Sequence, residues 1–140
     1  MGLKILIVDD TMFMRHLLRG IIEEEGLLAN AVTIGDLIRS ELAVRLAGVA
    51  GVREIRGKGL MIGIELEYPC DVIVKKALEA GLLVNVTNDN VVRLLPPLTF
   101  SRSDVDMLVG LLAALIKEFL AGASTAQPAA AQPAAACTER

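Results

Sequence analysis

Two neighbouring carboxylates, Asp9 and Asp10, close the short apolar run KILIVDD at residues 4–10. Carboxylates side by side at the C-terminal end of a strand can hold Mg²⁺, a hard cation that takes carboxylate oxygens together with water. In open α/β sheets ligands collect beyond those strand ends. The plainer reading of the same residues is a solvated strand end, with Asp10 or Thr11 capping the helix that follows. Few other residues suggest a cluster. Cys70 and Cys137 are far apart, which argues against a disulfide framework or a metal knot and makes a reducing cytoplasm the default setting. His16, the single histidine, has no second ligand near it in sequence and reads as a surface residue.

Positioning these groups requires strands and helices, and the hydrophobic periodicity supplies both. Residues 5–8 read as a buried strand, and residues 12–25 as a helix with Met14, Leu17, Leu18 and Ile21 on one face. Gly26 breaks the chain. Residues 28–46 form a second helix, with Leu28, Ala31, Gly35, Ile38, Leu42 and Leu46 on one side and a Glu41–Arg45 pair on its surface. A strand over 52–56, a turn at Gly57 and Gly59, and an alternating strand at 60–66 follow. Residues 70–80 give a helix burying Ile73, Val74, Ala77 and Leu78, ended by Gly81. LLVNV, the turn TNDN and VVRLL read as a hairpin stopped by Pro96 and Pro97. Ser101 with Asp104 makes a capping box for a last helix striped by Val105, Leu108, Val109, Leu112, Leu115, Ile116 and Phe119.

The expected order is β-α-α-β-β-α-β-β-α, an α/β (or α+β) fold with a mixed sheet of about five strands and helices packed on it. Residues 5–8 would supply an edge strand. From residue 122 the chain turns to ASTAQPAAAQPAAACTER, in which AQPAA occurs twice, and this reads as a disordered tail. At 140 residues the chain suits one domain with an appendage. Mean hydropathy is high at +0.56, yet no uninterrupted apolar run reaches the roughly 18 residues of a membrane span. Asp9 and Asp10 also cut the first apolar segment too short for a secretory signal. A net charge of −3 with both signs scattered gives neither a nucleic-acid nor a membrane-binding footprint.

The opening KILIVDDTMFMRHLLRGIIEEEG resembles that of CheY-like response-regulator receiver domains over residues 1–26. That resemblance implies Mg²⁺ at Asp9 and Asp10 and a third aspartate, at the end of a later strand, that accepts a phosphoryl group. No aspartate occurs between Asp36 and Asp71, where the acceptor would stand. The receiver's hydroxyl residue has no counterpart either, and Lys58, Lys75, Lys76 and Lys117 all lie in other contexts than its strand-end lysine. Phosphoryl transfer needs the whole set.

Residues 27–121 carry a different likeness. LLANAVTIGDLIRSEL, VREIRGKGLMIGIEL, EAGLLVNVTNDNVVRLLPPL and the final helix resemble, in that order, the C-terminal small domain of class III pyridoxal-phosphate aminotransferases, the acetylornithine/ornithine branch above all. The resemblance implies that Arg93, in the R-x-x-P-P-L block, binds a substrate carboxylate, for which a guanidinium fork is suited. The alternative is an edge-strand arginine held in water. Lys58 lies in the RGKGL block between glycines that serve the backbone. The cofactor lysine, the phosphate loop and the ring-nitrogen aspartate belong to the family's large domain, so no catalytic residue and no bound cofactor is expected of this chain.

The combined expectation is a chimeric or truncated small domain. The parent reaction would be amino transfer between acetylornithine or ornithine and 2-oxoglutarate. The rival reading is a degenerate receiver module that binds a partner. Expected partners are a missing large domain or a second copy of the chain, joined through exposed apolar surface.

Overall fold

The computed structural model describes residues 5–126. Its elements are α1 (Met12–Glu24), α2 (Leu27–Arg45), β1 (Val52–Lys58), β2 (Met61–Leu66), α3 (Val72–Glu79), β3 (Asn85–Thr87), β4 (Val91–Leu94) and α4 (Arg102–Ala126). The four strands form one antiparallel sheet in the order β1-β2-β4-β3. The α/β class expected from the sequence is therefore present, with four strands where about five were expected.

The missing strand is the first. Residues 5–8 form no strand, and Leu6 and Val8 are 86% and 83% exposed. A run this short carries too little apolar surface to fix its own register. Here it lies beside α1 instead of joining the sheet, Ile5 and Ile7 lining a cleft together with Met12 and Ile22.

Alternation decides which side of the sheet is covered. Ile62, Ile64 and Leu66 of β2 and Val92 and Leu94 of β4 point inwards and are buried. There they meet Ala31, Ile34, Ile38 and Leu42 of α2, Ile73 of α3 and Val105, Val109, Leu112 and Ile116 of α4 in one continuous core. Each fully buried Ile or Leu contributes about 1.5–3 kcal/mol. The expected faces of α2 and α4 are largely those observed, with Ile34 added to α2 and Leu120 to α4. Leu78 departs from expectation. It is 60% exposed because α3 is only two turns long and lays Ile73 and Ala77, not Leu78, on the core.

Local chemistry ends the elements where the sequence suggests. Gly26 (φ +62) lets the chain turn from α1 into α2, and Gly81 (φ +80) follows α3. Asn88 and Asp89 take φ of +52 and +63 in the β3–β4 turn, a conformation their short polar side chains tolerate. The capping box is complete: Asp104 N–H donates to Ser101 Oγ at 3.3 Å, and Ser101 N–H donates back to Asp104 Oδ2 at 2.9 Å. Helix α4 then runs to Ala126, past the point at 122 where the tail was expected; the remainder of that tail lies outside the described residues. The expected Glu41–Arg45 pair is not formed.

The closest approach in the core is between backbones. A Cβ on Gly35 of α2 would fall on the carbonyl of Gly59 in the β1–β2 turn. Gly35→Ala should therefore lower stability by about 1–3 kcal/mol, outweighing the roughly 1 kcal/mol that alanine gains as a helix former. Gly20→Ala, where a Cβ meets nothing within 4 Å, should be neutral or stabilising. Urea denaturation of both variants checks the pair. Hydrogen bonds from the Ser101 hydroxyl and backbone N–H hold the Asp104 carboxyl below the usual range. A lowered folded-state pKa means that the cap's contribution is full at neutral pH and is lost as pH falls through that lowered value. The stability gap between the native protein and Asp104→Asn should thus narrow on acidification, as thermal unfolding across pH would read out.

Candidate functional site

Arg93 lies on the uncovered side of the sheet. Its neighbours in the strand, Val92 and Leu94, point into the core, which turns Arg93 outwards by the period of two. Register places it between Gly63 of β2 and Asn85 of β3, and Gly63 in turn opposes Arg56 of β1. One row across the sheet therefore reads Arg56, Gly63, Arg93, Asn85. Gly63 contributes no side chain, and the buried Val91 packs there, its Cγ1 3.2 Å from where a Gly63 Cβ would stand.

The two arginines of that row differ in their partners. Arg56 is held by Glu54 at 2.7 Å and Glu65 at 2.5 Å, and these bonds, Glu65 first, raise its pKa. Arg53 adds a weaker contact to Glu65 at 3.9 Å. Arg93 is half-buried and donates Nε–H to Asn85 Oδ1 at 3.1 Å. No carboxylate among the described residues lies within ion-pair distance of it. The Asn85 contact uses the inner nitrogen and steadies the plane of the guanidinium. An anionic ligand reaching Arg93 on this face would meet an oriented, unneutralised fork.

The strand that carries Arg93 is tied down at both ends. Asn90 Nδ2–H donates to the Leu66 carbonyl at 2.8 Å, and Leu66 N–H donates to the Asn90 carbonyl at 2.9 Å. Beyond Pro96 and Pro97, Asn30 of α2 donates to the carbonyls of Leu98 and Phe100 at 2.7 and 3.0 Å. Sequence reading placed Asn30 on a helix and gave it no role. Its partners are 68 and 70 residues away, so only the fold brings them together.

The acidic pair stands elsewhere. Asp9 Oδ1 accepts the Thr11 N–H at 2.8 Å, Asp10 Oδ1 accepts the Thr11 hydroxyl at 3.2 Å, and the Asp9 carbonyl accepts from Arg15. Both carboxylates are thus engaged with the residue that opens α1. Among the described residues no group of three His, Cys, Asp or Glu side chains could hold a metal ion. A cleft of about 450 Å³ beside α1 is lined by Ile5, Ile7, Arg15, His16 and Arg19, and neither aspartate contributes to it. His16 is exposed.

Pyridoxal phosphate, implied by the family likeness, requires a lysine amine in an enclosed site. Lys58, Lys75 and Lys117 are exposed, Lys76 is paired with Glu118 at 2.6 Å, and no charged residue among those described is buried. The described residues do not fit that cofactor. Cys70 is no nucleophile either: burial, with a smaller push from Asp71, lifts its thiol to about 11. Among the described residues no helix is long and apolar enough to cross a membrane. Iodoacetamide at neutral pH should leave Cys70 unmodified in the native protein and label it once urea unfolds the chain, as peptide mass mapping would show.

Comparison with known proteins gives the context of this arrangement. The family model described as Aminotransferase class-III matches residues 12–116, which places α1 as well as the sheet inside the match. Acetylornithine aminotransferase 1 of Bordetella bronchiseptica is 56% identical over 100 residues, covering 71% of this chain and 25% of that protein. Acetylornithine aminotransferase of Nitrosomonas europaea is 49% identical over 100 residues, with the same coverage. Among solved structures, Plasmodium falciparum ornithine delta-aminotransferase superposes with a TM-score of 0.67 at 31% identity, over 73% of this chain and 27% of that one. The chain spans about a quarter of the length of the curated relatives it matches.

Proposed function

This chain belongs to the class-III aminotransferase family, and from that premise we propose that it is the small-domain part of an acetylornithine- or ornithine-type aminotransferase, in which Arg93 binds the substrate carboxylate. The observation that carries the reading is the contrast on the open sheet face. Arg56 is neutralised by two glutamates, whereas Arg93 is steadied by Asn85 and meets no carboxylate of its own. The relatives' names supply the class of the amine, acetylornithine or ornithine; 2-oxoglutarate is the acceptor that the family resemblance implies. Both partners carry carboxylates that a guanidinium fork can hold bidentately.

On this reading the protein supplies substrate orientation, and the chemistry comes from a cofactor lodged in the large domain of such an enzyme. The described residues offer no lysine site for that cofactor, and the proposal assigns them no amino transfer of their own. The cytoplasm is the compartment proposed for it, in keeping with the free thiol of Cys70. The receiver alternative finds little support: residues 5–8 form no strand, and α1 falls within the aminotransferase match.

Two measurements test the proposal. Pyridoxal phosphate followed by borohydride should leave no single lysine stoichiometrically modified; one lysine trapped per chain would overturn the claim of catalytic incompetence. Residues 27–121, grafted in place of the matching segment of the Bordetella bronchiseptica relative, should support transamination. In that graft Arg93→Lys should raise KM for the carboxylate substrates about 10–100-fold, the scale of a lost charged bidentate contact, while Arg56→Lys should change it little. Equal effects of the two substitutions would remove Arg93 from the carboxylate role.

A further inference from the structure

We propose that Asn85 is a positioning residue for Arg93: it sets the guanidinium to take a carboxylate end-on, through Nη1 and Nη2, and leaves its charge intact. The inference deepens the carboxylate reading of Arg93 and rests on it. Asn85 stands directly opposite Arg93 in the β3–β4 ladder, where facing Cβ atoms are about 5 Å apart. Val86, the next residue, packs against the core, which turns Asn85 to the open face by the period of two. From there its Oδ1 accepts the Arg93 Nε–H at 3.1 Å. Nε–H can only donate, so the amide must present its oxygen to it and turn Nδ2 away.

That bond selects one edge of the guanidinium. A carboxylate can bridge Nε and one Nη from the side, or Nη1 and Nη2 from the end. With Nε–H already engaged, the end is the edge left for a bidentate ligand, and neither Nη has a hydrogen-bond partner among the described residues. Arg56 shows the opposite arrangement: its Nη1 is held by Glu54 and Glu65, so the end of that fork is filled. The partner's type matters as much as its place. Asparagine accepts the bond without charge, whereas an aspartate there would orient Arg93 equally well and neutralise it. Glu65, the acidic residue of the neighbouring strand β2, is committed to Arg56 and Arg53. Arg93 is thus oriented without being neutralised, which is what a site for an incoming carboxylate requires.

Asn85→Ala removes the orientation and Asn85→Asp removes the neutrality. Asn85 is exposed, so neither variant should move the urea midpoint of this protein. In the Bordetella bronchiseptica graft, Asn85→Ala should raise KM for the carboxylate substrates about 2–10-fold, the scale of one hydrogen bond. Asn85→Asp should raise it about tenfold or more, through the charge it sets against the ligand. The loss should fall on KM more than on kcat. A native KM in either variant would overturn the proposal. Arg93→Lys separates that failure from failure of the carboxylate reading: if it too leaves KM in place, the reading itself falls. In the intact chain, side-chain nitrogen NMR gives a readout independent of activity. The Arg93 Nε–H signal, assigned by its loss in Arg93→Lys, should exchange with water several-fold more slowly than the same signal in Asn85→Ala. Equal exchange in the two proteins would show that Asn85 does not hold the guanidinium, and would overturn the proposal.

Discussion

The approach of α2 to the β1–β2 turn sets the spacing on which the rest of the structure depends. Gly35 presents bare backbone to the Gly59 carbonyl, and Gly59 itself takes φ +56 to make the turn. Gly57 is as constrained, since a Cβ there would fall on the backbone of Met61 and Ile62. Arg39 reinforces the contact by donating to the Gly57 carbonyl at 2.8 Å while pairing with Asp36. Gly35 therefore lets a helix lie closer to a hairpin than a side chain allows, while Gly57 and Gly59 shape the hairpin that it meets. Because the helix lies that close, Ile34, Ile38 and Leu42 reach the inward face of β2 and close the core over it.

Once one face of the sheet is committed to that core, the other face is left largely open, with Val91 buried over Gly63. β2 lies between β1 and β4, and its alternation leaves Met61, Gly63 and Glu65 outside. Charge on this open face is arranged unevenly. Three arginine–glutamate contacts gather around Arg56 and Glu65, and such exposed pairs contribute little to stability. Their consequence is electrostatic: they neutralise Arg56 and engage Arg53, whereas Arg93, and Lys58 opposite Met61 at the end of β1, have no carboxylate within ion-pair distance among the described residues. The hydrogen bonds of Asn30 and Asn90 hold the segment bearing Arg93 against the core, so the guanidinium is mounted on a rigid element and not on a loop.

Helix α1 follows a different logic. It is amphipathic by sequence, yet it lies outside the core that α2, α3 and α4 build with the sheet. The turn at Gly26 carries the chain directly from α1 into α2, and α2 has already spent its apolar side on the sheet. Among the described residues no side chain of α1 joins that core, and its stripe faces outwards.

Much of this was legible in the sequence. The 3.6-residue stripes of α2 and α4, the alternation of β2, the capping box at Ser101 and Asp104, and the turn at Asn88 and Asp89 depend on neighbouring residues, so local pattern fixes them. The order of the R-x-x-P-P-L and glycine blocks likewise pointed to the family. Residues 5–8 went the other way: a short apolar run looks like a strand whether or not a sheet edge accepts it, and here none does. The sequence by itself could say that Arg93 alternates with buried residues, but not which arginines on that face would be neutralised. Pairing of β1 with β2, and of β2 with β4, set that. Register between strands and the contact of Asn30 with residues about 70 positions away are long-range facts, decided only when the core closes.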